Sequence, residues 1–115
     1  MHHASRFAFH VWQIAMKDFE SRKVEDCFDG SRVYEYRLTQ STIDETFIQS
    51  LATLGQLEYF PKFPRPFFRV RSQDGLQLKG VQNEQTFQVI LPGKEQQKRR
   101  KQFENELRTI LRRSS

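Results

Sequence analysis

Between positions 67 and 91, apolar and polar residues alternate in three short runs, 67–71, 76–81 and 86–91. The runs are separated by Ser72-Gln73-Asp74-Gly75 and Gln82-Asn83-Glu84-Gln85. A period of two sends successive side chains to opposite faces of a pleated strand. Parallel neighbours need a crossover of a dozen or more residues, so turns this short join antiparallel strands only. The segment is therefore expected to be a three-stranded meander with Phe68, Val70, Leu76, Leu78, Phe87, Val89 and Leu91 on one face. Tyr34, Tyr36 and Leu38 alternate with Glu35 and Arg37 in the same way and predict a fourth strand.

Two segments carry the helical period. Ile43, Phe47, Ile48, Leu51 and Leu54 form one stripe. Ser41 or Thr42 is expected to cap it in a box with Asp44 or Glu45, and Gly55 to stop it in the left-handed conformation. A second helix is predicted over 94–112, where Phe103, Leu107, Ile110 and Leu111 fall on one side. Between them, Leu57-Glu58-Tyr59-Phe60 is followed by Pro61, Pro64 and Pro66. Prolines forbid a helix and a central ladder, so 61–66 reads as an extended connector or a sheet edge.

The first thirty residues are ambiguous. Phe7, Phe9 and Val11 alternate like a strand, while Phe7, Val11, Ile14 and Ala15 share a helical face. Ala, Met, Gln and Lys favour a helix from about position 7 to Lys23, closed by turn chemistry over 25–31. Met16 is an alternative start that would leave a loose arm before it. Trp12 reads as a packing anchor.

The expected fold is α+β: a two-layer sandwich with a β-α-β-β-β-α core, one four-stranded, mainly antiparallel sheet and two helices on one face. An N-terminal helix or arm (1–30) precedes a single domain (31–115). A chain of 115 residues has room for one core.

Charge is distributed unevenly. The net charge is +5, and the segment 94–113, with eight bases and three acids, carries all of it. Positions 17–45 hold eight acids and five bases, whereas 62–79 holds Lys62, Arg65, Arg69, Arg71 and Lys79 against Asp74. Such polarity steers a protein toward anionic partners, nucleic acid first among them.

Several activities lack their residues. The three histidines (His2, His3, His10) crowd the N-terminus and Cys27 stands alone, so neither a metal site, a disulfide nor a Cys–His nucleophile is expected. Acidic neighbours of Cys27 would raise its thiol pKa rather than activate it. Neither phosphate-binding glycine motif occurs. Apolar runs are far too short for a bilayer crossing, no signal peptide is recognisable, and one cysteine suits a reducing compartment. The chain is expected to be cytoplasmic, with no enzymatic activity, no cofactor, no metal and no membrane partner.

Strand parity leaves a second face with Val33, Glu35, Arg37, Phe67, Arg69, Arg71, Gln77, Lys79, Val81, Gln88 and Ile90. That face can meet water, be covered by the N-terminal segment or a second copy, or serve as a nucleic-acid platform. The chain reads as a small non-enzymatic binding or interaction module, self-associating as a homodimer or contacting another protein. Tyr59, Phe60, Phe63, Phe67, Val81 and Ile90 are the candidate interface. Nucleic-acid binding is the alternative, with Phe67 stacking a base and Arg69, Arg71, Lys79, Lys98, Arg99, Arg100 and Lys101 on phosphates. Phe67 is the one aromatic that parity assigns to this face, whereas sheet platforms for RNA use two or three. On this reading, replacing Lys98, Arg99 and Arg100 by Gln leaves the melting temperature nearly unchanged. A small-molecule pocket beneath the 43–54 helix has only aromatic richness in its favour.

Overall fold

The computed structural model describes residues 18–114. The chain forms β1 (Phe19–Asp26), β2 (Arg32–Leu38), α1 (Glu45–Ser50), a 3-10 turn (Leu51–Thr53), β3 (Gln56–Phe60), β4 (Phe67–Arg71), β5 (Gln77–Val81), β6 (Thr86–Leu91) and α2 (Gln96–Ser114). Among the described residues this is an α+β fold with two helices and one antiparallel sheet, ordered β1-β2-β6-β5-β4-β3. The sheet has six strands rather than the four expected.

Both additional strands lie at the edges. β1 replaces the C-terminal end of the expected N-terminal helix, whose earlier part, with His10 and Trp12, lies outside the described residues, as do His2 and His3. Pairing explains why Phe19–Asp26 is extended. Glu20 lies opposite Arg37, Arg22 opposite Glu35 and Asp26 opposite Arg32, so each cross-strand pair joins opposite charges. All three close as ion pairs, at 2.5, 2.9 and 2.9 Å. Opposite-charge cross-strand pairs contribute roughly 0.2–1 kcal/mol each, and Phe19 adds a tilted contact on Tyr36 at 5.6 Å. β3 pairs with β4, with the prolines confined to the loop between them. Pro therefore takes no ladder position.

One side of the sheet carries Tyr34, Tyr36, Leu38, Phe68, Val70, Leu78, Phe87, Val89 and Leu91, all buried. Both helices contribute to the same cluster, through Phe47 and Ile48 and through Phe103, Leu107 and Ile110, and Ile43 just before α1 and Leu51 in the 3-10 turn join them. Phe47 meets Phe87 at 5.9 Å, and Phe103 stands edge-on to Tyr36 at 5.2 Å. Gly80 faces this layer between Phe68 and Phe87, and a methyl group there would lie 2.9 Å from both neighbours. Only glycine admits so close an approach.

Three local expectations are corrected. The cap of α1 is Asp44, whose carboxylate accepts from Phe47 N at 2.8 Å, and not Ser41 or Thr42. Ile43 cannot join the helix because its backbone is committed to the β5–β6 turn: its N–H donates to Glu84 O and its carbonyl accepts from Asn83 N. Gly55 is not left-handed; a side chain there would collide with the Arg71 carbonyl, so it permits close passage of two backbones. The last helix starts at Gln96, after a left-handed Glu95, and not at Lys94. The buried Gln96 amide donates to the carbonyls of Gly30 at 3.2 Å and Pro92 at 3.1 Å, tying the helix start to the β1–β2 turn.

Candidate functional site

The side of the sheet away from the helices is built of transverse rows, one residue per strand. The central row runs Glu58, Arg69, Lys79, Gln88, Glu35, Arg22. Its charges are mostly satisfied internally: Arg69 donates to Glu58 at 2.8 Å and Arg22 to Glu35 at 2.9 Å. Lys79 is exposed and, among the described residues, has no ion-pair partner. Arg71, in the next row, is likewise exposed.

On the opposite side of the central row from Arg71, the neighbouring row begins Phe60, Phe67, Val81. Phe60 and Phe67 are directly opposed and stack at 4.6 Å, 25° apart. The loop between them turns Phe63 back onto both, edge-on to Phe67 at 5.2 Å and tilted against Phe60 at 5.9 Å. Three rings therefore gather on a face to which parity assigned Phe67 alone. Phe60 was missed because its strand was missed: once 56–60 pairs with 67–71, parity sends Phe60 outward with Glu58. Nothing in the pattern announces Phe63; its position depends on how a loop bounded by Pro61 and Pro66 returns. Phe63 remains 54% exposed, Phe60 and Phe67 half-buried. Beside Phe67 a shallow hollow of about 360 Å³ is lined by Lys79, Val81, Thr86, Gln88, Glu84 and Glu35, among others. That volume is at the lower end for ligand sites.

The other candidate interface residues separate. Val81 stands opposite Phe67. Ile90 is on the same side but toward the other end, opposite Gln77 and Val33. Tyr59 belongs to the helix side; its ring packs on the core and its hydroxyl donates to Gln82 Oε1 at 2.7 Å. Burial raises the pKa of that phenol.

The four candidate cations in the first half of the last helix, Lys98, Arg99, Arg100 and Lys101, are not equivalent. Arg99 is held between Asp74, through Nε, and Glu106 at 3.3 Å, and its side chain is only 14% exposed. Arg100 lies over the Tyr34 ring at 4.4 Å and donates to Ser21 Oγ at 3.1 Å. Its Nε faces Glu104 at 3.3 Å without hydrogen-bond geometry. Glu104 accepts from the Tyr36 hydroxyl at 2.7 Å, and burial, then this hydrogen bond, raises the Tyr36 pKa well above the ordinary phenol value. Lys98 and Lys101 are exposed, with no ion pair among the described residues. Arg99 and Arg100 are thus engaged by the protein's own groups, while Lys98 and Lys101 point to water. Arg69, Arg71 and Lys79 lie on the sheet, separated from the helix cations by the core.

A wider groove of about 790 Å³ runs along β1 and α2, lined by Arg22, Arg37, Arg100 and Arg108 together with Glu20, Glu35 and Glu104. Its charges alternate in sign and are largely paired with each other. Among the described residues no three His, Cys, Asp or Glu side chains converge as metal ligands would, and no helix is long and apolar enough to cross a membrane. The chain matches no protein-family model, no curated protein and no solved structure.

Proposed function

We propose that the chain is a non-enzymatic interaction module that receives a polypeptide partner on the open side of its sheet, at Phe60, Phe63, Phe67 and Val81. The observation that carries this reading is the aromatic triad on the layer opposite the core, with Phe63 more than half exposed. Contiguous apolar surface rimmed by polar groups marks association sites, and aromatic anchors beside a hollow dominate interface energetics. Cations and carboxylates alternate around the triad, as Arg69–Glu58 and Arg65–Glu84. A polypeptide, which carries both signs, suits that rim better than a uniformly anionic polymer does.

The test is selection from a displayed random-peptide library against the wild-type chain and Phe63→Ser. Peptides enriched by the wild type and lost by at least tenfold with Phe63→Ser are the expected outcome. Equal enrichment on both would refute the site.

Single-stranded nucleic acid is the second reading, favoured by the same three rings, since stacking contributes about 1–3 kcal/mol per base. Lys62, Arg71 and Lys79 would supply phosphate contacts. Anisotropy with short oligonucleotides at two salt concentrations separates the readings. Three such contacts predict a salt slope near −2, at about −0.7 per phosphate on single strands.

A further inference from the structure

The turn between β1 and β2 places Phe28 entirely in solvent. It is flanked by Glu25, Asp26 and Asp29. The last two keep their pKa values below the ordinary carboxylate value, Asp26 chiefly through its hydrogen bond with Lys23 and Asp29 through that with Ser31, so both are charged near neutrality. The turn is braced at its base: Asp29 accepts from Ser31 N and Oγ, Cys27 and Ser31 close a backbone bond, and Gln96 holds the Gly30 carbonyl. Asp26 is answered by Lys23 and Arg32, so Phe28 is an apolar side chain presented on a built tip whose acids without an ion pair among the described residues are Glu25 and Asp29.

The aromatic triad is its chemical complement: Arg65 and Arg69 beside it are answered by Glu84 and Glu58, which leaves Lys62 and Lys79 as its cations without an ion pair among the described residues. Within one chain the two cannot meet. Phe28 lies beyond the sheet end where Arg32 faces Leu91, next to edge strand β1. The triad lies at the other end, where Phe67 faces Val81, next to edge strand β3. Five inter-strand steps of about 4.8 Å separate the edges, roughly 24 Å before the length of the strands is counted.

We infer that the triad's occupant is the Phe28 tip of a second copy of this chain. The inference rests on the polypeptide-binding reading above and names its partner. Phe28 enters the hollow beside Phe67, with Asp29 and Glu25 facing Lys79 and Lys62 of the neighbouring copy. The contact is heterologous: each copy offers a tip and a triad, so copies join head to tail, and the assembly grows with concentration unless it closes into a ring. A contact centred on one aromatic anchor falls below the standard interface size and is weak.

Sedimentation velocity from about 10 to about 500 µM, the range suited to weak interfaces, tests this with wild type, Phe28→Ser, Phe63→Ser and an equimolar mixture of the two variants. The expected result is a wild-type mean mass that rises with concentration and falls back with added salt. Each variant alone stays monomeric, and the mixture forms a one-to-one dimer and nothing longer, because only one intact tip–triad pair remains. Phe28 has no core contact, so Phe28→Ser keeps the wild-type melting temperature, and unfolding curves show whether Phe63→Ser is folded. A monomeric wild type, a Phe28→Ser variant that associates like wild type, or a mixture that fails to pair overturns the inference. If the wild type is monomeric and the peptide library still distinguishes Phe63→Ser, the second copy is wrong and the polypeptide site stands. If the library fails too, both fall.

Discussion

Replacing Arg99 and Arg100 by Gln, against a control with Lys98 and Lys101 replaced by Gln, separates cations that build the fold from those that face water. The two double variants remove the same charge from the same turns of α2. Arg99 is mostly covered and bound to Asp74 and Glu106, an ion pair with better geometry than the exposed median, contributing about 1 kcal/mol. Arg100 contributes about 0.5–1 kcal/mol over the Tyr34 ring. Its hydrogen bond to Ser21 adds about 1 kcal/mol. The total is about 2–3 kcal/mol, which in a domain of this size lowers the melting temperature by roughly 10–20 °C. Lys98→Gln with Lys101→Gln changes it by less than about 3 °C, as for exposed positions without contacts. Far-UV circular dichroism during thermal unfolding, with urea midpoints as a second readout, measures both. Equal stability of the two double variants, in either direction, would refute the reasoning. The outcome also reverses the expectation from sequence that Lys98, Arg99 and Arg100 can be removed together at no cost to the melting temperature.

Two further perturbations probe the framework. Gly80→Ala forces a methyl group against the Phe68 ring and Phe87 Cβ at 2.9 Å, and overpacking of this kind costs about 1–3 kcal/mol; a urea midpoint equal to wild type would show that the sheet relaxes freely there. Asp74→Asn has a pH signature: burial raises the Asp74 pKa, but its bonds from Ser72 and Arg99 outweigh burial and the net shift is downward. A depressed carboxylate stabilises the fold above its unfolded pKa, about 3.9, and loses that contribution as pH falls through the folded value. The stability gap between wild type and variant is therefore widest near neutrality and closes below about pH 4. A gap that does not change with pH would contradict the assignment.

How legible each element was in sequence follows from how it is held. The meander and β2 were readable because each buries alternate side chains against the helices, and burial writes a period of two. β1 was not readable: apart from Phe19 it is held by cross-strand charge pairs, and charge pairs have no period visible in one strand alone. β3 was obscured by the prolines that follow it, although its Leu57 and Tyr59 do alternate inward. The α1 cap was misplaced by two or three residues because the competing bonds of Ile43 come from Asn83 and Glu84, forty positions away. For the candidate site, Phe67 and Val81 followed from parity, whereas Phe60 needed the β3 pairing and Phe63 needed the loop. The basic helix was legible as a concentration of charge, but not which cations the fold had already engaged, since their partners Asp74, Ser21 and Tyr34 are remote in sequence.

The positions of Phe63 and Phe28 are what stability does not account for. Two helices, each about 10 Å across, cover only the middle of a six-stranded sheet, so the chain has more sheet than its described helical layer can bury. Surplus of that kind is normally polar at its edges, as β1 is here, where charges answer charges. At the β3 edge the same problem has a different chemical solution: three rings pack on each other, each hiding part of the others, and still leave Phe63 more than half exposed. Ring–ring contact explains why the triad holds together once formed, but a polar residue at position 63 would leave the core untouched. Among the described residues Phe28 lacks even ring–ring contact, its turn being braced from behind and its ring exposed in front. Apolar side chains that add nothing to the core, one on a tip with Glu25 and Asp29 and three beside Lys62 and Lys79 at the opposite corner, are what the proposed contact between copies would bury.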